Sequence, residues 1–151
     1  MLNVIIDCDT GIDDSLAILF ALKRPDVRVL GITTGCGNTT TEQAAENTLR
    51  LIQLANPAYA VPVSVGAGAP LSGSWDGPVV DVHGRNGIGD AILPPSPQKP
   101  VREAADDFIV RLARENPGQL TLVTLGRLTN LALALRREPS LSRLLRSVVA
   151  M

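Results

Sequence analysis

Short apolar runs alternate with longer amphipathic stretches along this chain. The apolar runs are rich in β-branched residues and apolar on both faces, which is typical of buried strands. They predict strands over residues 3–7, 27–34, 61–65 and 119–125, with a further strand beginning at 147. The stretches between them predict helices over residues 13–23, 41–54, 101–115 and 128–137, with one more helical turn over 141–146. This alternation predicts an α/β fold, an open, mostly parallel, Rossmann-like sheet with helices on both faces.

Residues 66–100 interrupt the alternation. The segment is rich in glycine and proline and has no clear period. A loop of this length inside a compact domain is usually functional or disordered. We therefore expect a single domain, residues 1–151, that carries one long functional loop over residues 66–100.

Composition narrows the class of protein. The 151 residues are 45% hydrophobic, carry a formal net charge of −1 and contain only 3% aromatic residues, which argues against a nucleic-acid-binding surface. No apolar run approaches the ~18–20 residues of a membrane span, and the first run is too short for a signal peptide. Cys8 and Cys36 have no metal or redox spacing, so we expect reduced core thiols in a cytoplasmic protein.

Four carboxylates follow the first predicted strand within eight residues. They are Asp7, Asp9, Asp13 and Asp14. Asp7 and Asp9 face the same side of an extended backbone, and the other two lie on the first helical turn. A helix cap with solvated acids would account for Asp13 or Asp14 but not for Asp7 or Asp9. Convergent oxygen ligands of this kind suit Ca²⁺ or Mg²⁺, which would offset their repulsion.

Two other segments lead to the same edge of the predicted sheet. Asn38 follows the second strand, and Leu125 with Gly126 ends the fourth. In open α/β sheets ligands bind outside the carboxyl ends of the strands. We therefore expect a binding site where these segments meet the acidic cluster.

Several functions remain open from these residues. An EF-hand would need oxygen ligands where Gly11 and Ile18 stand, so that pattern fails. A metal-dependent phosphatase of the haloacid dehalogenase type would use D-x-D-x-T/V, but Gly11 follows Asp7-Cys8-Asp9-Thr10 where Thr or Val is needed. A non-catalytic nucleoside- or ribose-binding protein is a third alternative.

Four segments together resemble the inosine-uridine preferring nucleoside hydrolases. DCDTGIDDSLAIL resembles the N-terminal D-x-D-P-G-x-D-D-A signature of that family, and LGITTGCGNTT resembles its Gly-Asn segment. VDVHGRNGIGD resembles the His-Gly loop near the active site, and LTLVTLGRLTNLALAL resembles the T-L-x-x-x-G-x-L-T-N-x-A segment. The order matches and the likeness spans residues 4–135. It implies that residues 66–100 form an active-site loop.

The resemblance implies a hydrolase that cleaves the N-glycosidic bond of ribonucleosides, giving ribose and free base, with a Ca²⁺-bound water as nucleophile. Asp9 and Asp14 would be carboxylate ligands of the calcium ion, and Leu125 would offer its main-chain carbonyl. Asp9 would also be the general base. Asp13, Asn38 and His83 would bind the substrate. Asp7 would hold the neighbouring site residues in place without contacting the ligand itself.

Three further expectations concern neighbouring residues and assembly. Trp75 could line the base pocket or anchor its loop, and Asn130 is expected to bond neighbouring backbone. The likeness implies a homo-oligomer, a dimer or tetramer, for the full-length protein. Family members are about twice as long, so we expect this chain to be the N-terminal part of the family domain, whether a fragment, a truncated product or one piece of a nicked chain. We expect it to be weakly active or inactive alone.

Overall fold

The architecture is a five-stranded sheet with helices packed on its two faces. The computed structural model describes residues 1–151. The strands are β1 (Leu2–Cys8), β2 (Val27–Thr34), β3 (Val63–Val65), β4 (Leu120–Thr124) and β5 (Ser147–Ala150). The helices are α1 (Ile12–Lys23), α2 (Thr41–Ala55), α3 (Val80–His83), α4 (Ala105–Glu115), α5 (Thr129–Arg137) and α6 (Leu141–Leu144).

Every strand pair in the sheet is parallel, and the strand order is β3-β2-β1-β4-β5. The chain first moves outward from β1 to β3 and then returns to the other side of β1 to form β4. The order therefore reverses between β1 and β4, which is where open α/β sheets bind ligands. This confirms the predicted fold class and sharpens it, because the sheet is entirely parallel.

Two apolar clusters lie on opposite faces of the sheet. One contains Ile18 and Leu22 of α1 together with Leu49 and Ile52 of α2. The other contains Phe108 of α4 among its members, and it also includes residues of α5 and α6. Crossovers between parallel strands are right-handed as a rule, so connections that run in opposite directions across a parallel sheet place their helices on opposite faces.

The fourth helix begins later than its sequence pattern predicts. The apolar residues from Val101 onward suggested a helical start there, but α4 begins at Ala105. The Val101 amide donates to the Val63 carbonyl at 2.8 Å, and the Ser64 hydroxyl donates to the Glu103 carbonyl at 2.6 Å. Residues 101–103 are thus held beside β3, where Val101 forms a single parallel bridge with Ser64, an interaction between distant segments that local periodicity does not reveal.

The long loop contains one element that its composition did not predict. The short helix α3 lies within residues 66–100, and none of its residues is buried. No helix of the structure has both the length and the apolar character needed to cross a membrane. Cys8 and Cys36 are both buried and unpaired, as expected for core thiols.

Candidate active site

The acidic turn lies between β1 and α1, at the point where the strand order reverses. Asp9 and Asp14 are both buried, whereas Asp13 on the same helical turn is exposed. Thr10 has a φ of 25°, and its hydroxyl is 2.8 Å from the hydroxyl of Thr48 on α2. The turn is therefore tied to the second helix, which holds the carboxylates against the sheet edge.

Asn38 connects the two buried carboxylates. Its main-chain amide donates to Asp9 Oδ2 at 2.8 Å. Its side-chain Nδ2 donates to Asp9 Oδ1 and to Asp14 Oδ2, each at 3.1 Å. Asp9, Asp14 and Asn38 therefore form one cluster, although 24 and 29 residues separate Asn38 from its two partners.

Asp14 is the more electrostatically constrained of the two acids. The amide of Gly11 donates to its Oδ2 at 2.8 Å, which closes the first turn of α1. Burial, together with the neighbouring charges of Asp9 and Asp13, raises the pKa of Asp14 to about 7, against the lowering effect of the Gly11 bond. Its other oxygen, Oδ1, is buried and has no hydrogen-bond partner. A buried acceptor without a donor is costly, so this atom is suited to a cation.

The donor set fits a calcium ion in part. Hard cations take oxygen ligands, and Ca²⁺ takes six to eight of them. The chain offers the carboxylates of Asp9 and Asp14 and the main-chain carbonyl of Leu125, the residue that directly follows β4. No group of three or more His, Cys, Asp or Glu side chains is placed to hold a metal. Further oxygen ligands would have to come from water, substrate or other protein groups.

A pocket of about 440 Å³ opens at this edge. Among the residues implied by the resemblance, Asp9, Asn38 and Leu125 line it. Asp13, Asp14 and His83 do not belong to its wall, although Asp14 is bonded to Asn38 from behind. The pocket is large enough for a small polar ligand such as a nucleoside, and its floor is the point where β1 and β4 end.

His83 lies over the start of α1 and outside the pocket wall. Its Nδ1 accepts a hydrogen bond from the main-chain amide of Ile12 at 3.1 Å. An imidazole whose Nδ1 accepts carries its proton on Nε2 when it is neutral. His83 therefore joins the long loop to the acidic turn, and only Nε2 is free to donate to another group.

Trp75 contacts both its loop neighbours and the pocket. Its indole Nε1 donates to the carbonyl of Gly37 at 3.0 Å, and its side chain lines the pocket. The sequence left open whether Trp75 anchors the loop or forms a wall. In the structure one side chain does both, because the residue to which it is anchored precedes Asn38.

Asp7 is buried below the pocket and does not line it. Its Oδ1 accepts from the Thr33 hydroxyl at 2.6 Å and from Asn130 Nδ2 at 2.8 Å. Burial raises the pKa of Asp7 to about 6, although these two hydrogen bonds act in the opposite direction. Asn130 also donates to the Thr34 carbonyl, so the expectation that it bonds neighbouring backbone is confirmed.

Some pocket residues lacked a clear signal in the sequence. Asp76, Val79 and Met151 line the pocket, and so does Arg127. A single acid in a Gly-rich loop or a terminal methionine has no periodicity that indicates a site. Only the return of the loop over the sheet edge, with the Val79 amide donating to the Asn38 carbonyl at 3.0 Å, brings Asp76 and Val79 to the pocket.

Comparison with known proteins identifies the family. The model of the inosine-uridine preferring nucleoside hydrolases matches residues 4–151. The chain belongs to this nucleoside hydrolase family. It is 42% identical over 147 residues to uridine nucleosidase 1 of Arabidopsis thaliana, covering 97% of this chain and 44% of that protein. It is 36% identical over 151 residues to the pyrimidine-specific ribonucleoside hydrolase RihA of an Enterobacter species, covering 99% of this chain and 47% of that protein.

Solved nucleoside hydrolases share the fold. A plant nucleoside hydrolase, the PpNRh1 enzyme, superposes with a TM-score of 0.91 at 39% identity, over 99% of this chain and 47% of that one. A purine-preferring ribonucleoside hydrolase from Gardnerella vaginalis superposes with a TM-score of 0.93 at 36% identity, over 99% and 48%. The chain thus spans about half the length of these relatives. Membership of the family does not favour the phosphatase alternative.

Proposed function

We propose that this chain provides the calcium- and ribose-binding residues of a hydrolase that cleaves the N-glycosidic bond of ribonucleosides. The products are ribose and a free base. The observation that carries the proposal is the bonding of Asn38 to both Asp9 and Asp14 at the strand-order reversal, with Asp14 Oδ1 buried and unpartnered. Leu125 lines the same pocket as Asp9 and Asn38. The family to which the chain belongs supports the reaction class.

Calcium, when bound by Asp9, Asp14 and the Leu125 carbonyl, would lower the pKa of a water molecule and orient it. Asp9 lines the pocket and can accept the proton of that water as general base, a role that typically contributes about 10²–10⁴-fold to the rate. Cleavage of the bond develops positive charge on the sugar. The Asp9 carboxylate in the pocket wall would stabilise that charge, because it acts at close range in a partly desolvated site.

The remaining residues would position the sugar. Asn38 holds Asp9 through its main-chain amide and can turn its side-chain amide toward a ribose hydroxyl. Asp13 is exposed at the start of α1, where its carboxylate can accept from ribose hydroxyls. His83 keeps the active-site loop against α1 and can donate through Nε2. Asp7 supports the turn from below.

The identity of the base in the proposed substrate is less well defined than that of the sugar. Relatives of this chain include both a pyrimidine-specific and a purine-preferring hydrolase. We therefore propose a ribonucleoside as the class of substrate and test uridine and inosine in parallel. A dimer or tetramer and a cytoplasmic location remain parts of the proposal for the full-length protein.

Calcium titration by calorimetry, with and without inosine or uridine, tests the proposal. We expect the wild-type chain to bind calcium, nucleoside to tighten that binding, and Asp9→Asn to lose it. Asp26→Asn serves as the matched control, because it removes the same charge from an exposed residue whose partner is Arg24. Titration is run on the 151-residue chain and on any longer product of the same gene.

Release of base and ribose is measured on the same samples. Calcium-dependent release that Asp9→Asn abolishes supports hydrolysis. Binding of nucleoside without release in every form of the protein would identify a non-catalytic binding protein. Absence of calcium binding in every form would contradict the proposed metal site.

A further inference from the structure

Asn130, near the start of α5, connects three separate segments of the chain. Its Nδ2 donates to Asp7 Oδ1 at 2.8 Å and to the Thr34 carbonyl at 2.9 Å. Its Oδ1 accepts from the Ala67 amide at 2.9 Å. The residue is 2% exposed; its bonds to Asp7 and Thr34 are buried, and its bond to Ala67 is partly buried. One side chain thus joins the ends of β1 and β2 to the loop that follows β3.

Each of the three segments leads to a residue of the candidate site. Asp7 is two residues before Asp9, and Thr34 is four residues before Asn38. Ala67 begins the loop that carries Trp75, and its own carbonyl accepts from the Cys36 amide at 3.0 Å. A shift of any segment relative to the others would therefore change the distance between groups that line the pocket.

Tight packing around Asn130 leaves little freedom for such a shift. A β-carbon at Gly66 would lie 2.5 Å from Asn130 Nδ2 and nearer still to its Oδ1 and to the Thr34 carbonyl. A β-carbon at Gly35 would lie 3.6 Å from Asn130 Nδ2. Both glycines stand where the chain passes close to the asparagine. The Asn130 side chain uses both its amide nitrogen and its amide oxygen in this network, and polar networks with satisfied groups fix one geometry.

We infer that Asn130 is a positioning residue that sets the relative placement of Asp9, the Gly37-Asn38 segment and the Trp75 loop. It does not line the pocket and touches no substrate-facing group directly. Its effect is transmitted through Asp7, Thr34 and Ala67. The inference rests on the proposed function, because that function assigns roles to the groups that Asn130 positions. Its test measures the geometry of these groups and not turnover.

Trp75 makes a direct test possible because it is the single tryptophan of the chain. Its fluorescence and its quenching by acrylamide report on how the loop covers the site. Asn130→Ala removes all three hydrogen bonds. Asn130→Asp keeps the size and the acceptor for Ala67 but replaces the donor to Asp7 and Thr34 with an oxygen.

Two control variants separate positioning from general loss of stability. Ile109→Val trims a fully buried residue of α4 in the apolar cluster that contains Phe108, and Ile109 does not line the pocket. Asn116→Ala removes an asparagine whose side chain donates to the Leu112 carbonyl at the end of α4. All variants are compared at a temperature at which each is fully folded, as shown by its melting curve.

We expect both Asn130 variants to raise the Stern–Volmer constant of Trp75 about twofold, because local opening of the loop becomes more populated. Ile109→Val and Asn116→Ala should leave it at the wild-type value. Quenching that stays at the wild-type value in both Asn130 variants would overturn the inference. Calcium titration of the wild type runs alongside, and failure of the wild type to bind calcium would contradict the proposed function while the quenching comparison still decides the role of Asn130.

Discussion

Gly37 lies directly against the carboxylate of Asp9. A β-carbon at position 37 would be 2.7 Å from Asp9 Cγ and closer still to Oδ2. Real β-carbons do not approach other atoms that closely, so a side chain at position 37 would force the carboxylate to move. The absence of a side chain at this residue therefore lets β2 deliver the Asn38 amide to Asp9.

The first prediction concerns Gly37→Ala. The added methyl group should turn the Asp9 carboxylate away from the Asn38 amide, and a displacement of about 1 Å can cost about 10²-fold in rate. Because the displaced carboxylate is the proposed calcium ligand and general base, we expect calcium affinity and the rate of base release to fall at least about tenfold. Calorimetry and a ribose assay measure the two effects.

Gly68→Ala is the matched control for this substitution. A β-carbon at position 68 would meet only the Thr41 methyl group, at an ordinary 3.8 Å. It should leave calcium binding unchanged. Equal calcium affinity in Gly37→Ala and wild type would show that Asp9 is not a ligand or that its position is not critical.

The second prediction concerns pH and Asp14. Its pKa is raised to about 7 from 3.8, so the folded chain holds the proton more tightly than the unfolded chain. The stability that this group contributes is full below about pH 4 and is lost as the pH rises through about 7. Asp14→Asn removes this loss, so in the presence of a calcium chelator it should be more stable than wild type at pH 8.

Melting temperatures between pH 4.5 and 8, measured in chelator, check this expectation. The difference between Asp14→Asn and wild type should grow as the pH rises. Asp81→Asn, an exposed acid on α3, should give a curve parallel to wild type. Parallel curves for Asp14→Asn would mean that the Asp14 carboxyl does not titrate differently in the folded chain.

The third prediction concerns the bond between His83 and the Ile12 amide. His83→Ala removes the acceptor for this amide and one of the contacts that hold residues 79–90 on α1. We expect the amides of residues 79–90 to exchange hydrogen faster, while the strands stay protected, because a loop with fewer contacts opens locally. Hydrogen exchange with mass spectrometry measures the difference.

Arg85→Ala provides the comparison within the same loop. Arg85 is exposed and forms a solvent-facing ion pair with Asp90 at 3.8 Å. Because exposed ion pairs contribute little stability, the loss of this one should leave amide hydrogen exchange unchanged. Unchanged exchange in His83→Ala would assign the closure of the loop to its other contacts, such as the Asn47 bond to the Asn86 carbonyl.

The fourth prediction concerns Glu138, at the end of α5. Hydrogen bonds from the Ser140 hydroxyl and from Arg114 lower the pKa of Glu138 to about 2. A depressed pKa in the folded state contributes stability above the unfolded value of 4.5, and that stability is lost as the pH falls through about 2. Glu138→Gln should therefore melt below wild type at pH 7, with the difference shrinking toward pH 2.

Thermal melts from pH 2 to 7 measure this effect. Glu42→Gln is the control, since Glu42 is an exposed acid in the first turn of α2. A constant difference between Glu138→Gln and wild type across the range would mean that the charge of Glu138 does not contribute.

Local patterns predicted most of the strands and helices because buried strands and amphipathic helices have their own periods. The apolar runs ending at Asp7 and Thr34 predicted β1 and β2 to within about a residue, and the parallel sheet followed from their alternation with helices. The start of α4 was misplaced because the pairing of Val101 with Ser64 overrides local preference. The short helix α3 was missed because its four residues are too few to show a period.

The site divides in the same way. The sequence alone determined which side chains carry oxygen atoms that can bind a metal or a sugar, because residue type fixes the chemistry of Asp9, Asp14 and Asn38. It also determined that these residues follow strand ends. Only the tertiary structure decided which of them meet. It buried Asp14, exposed Asp13, turned His83 toward α1 and placed Asn130 between three segments. Such placements depend on hydrogen bonds between residues far apart in the chain, and no local pattern carries that information.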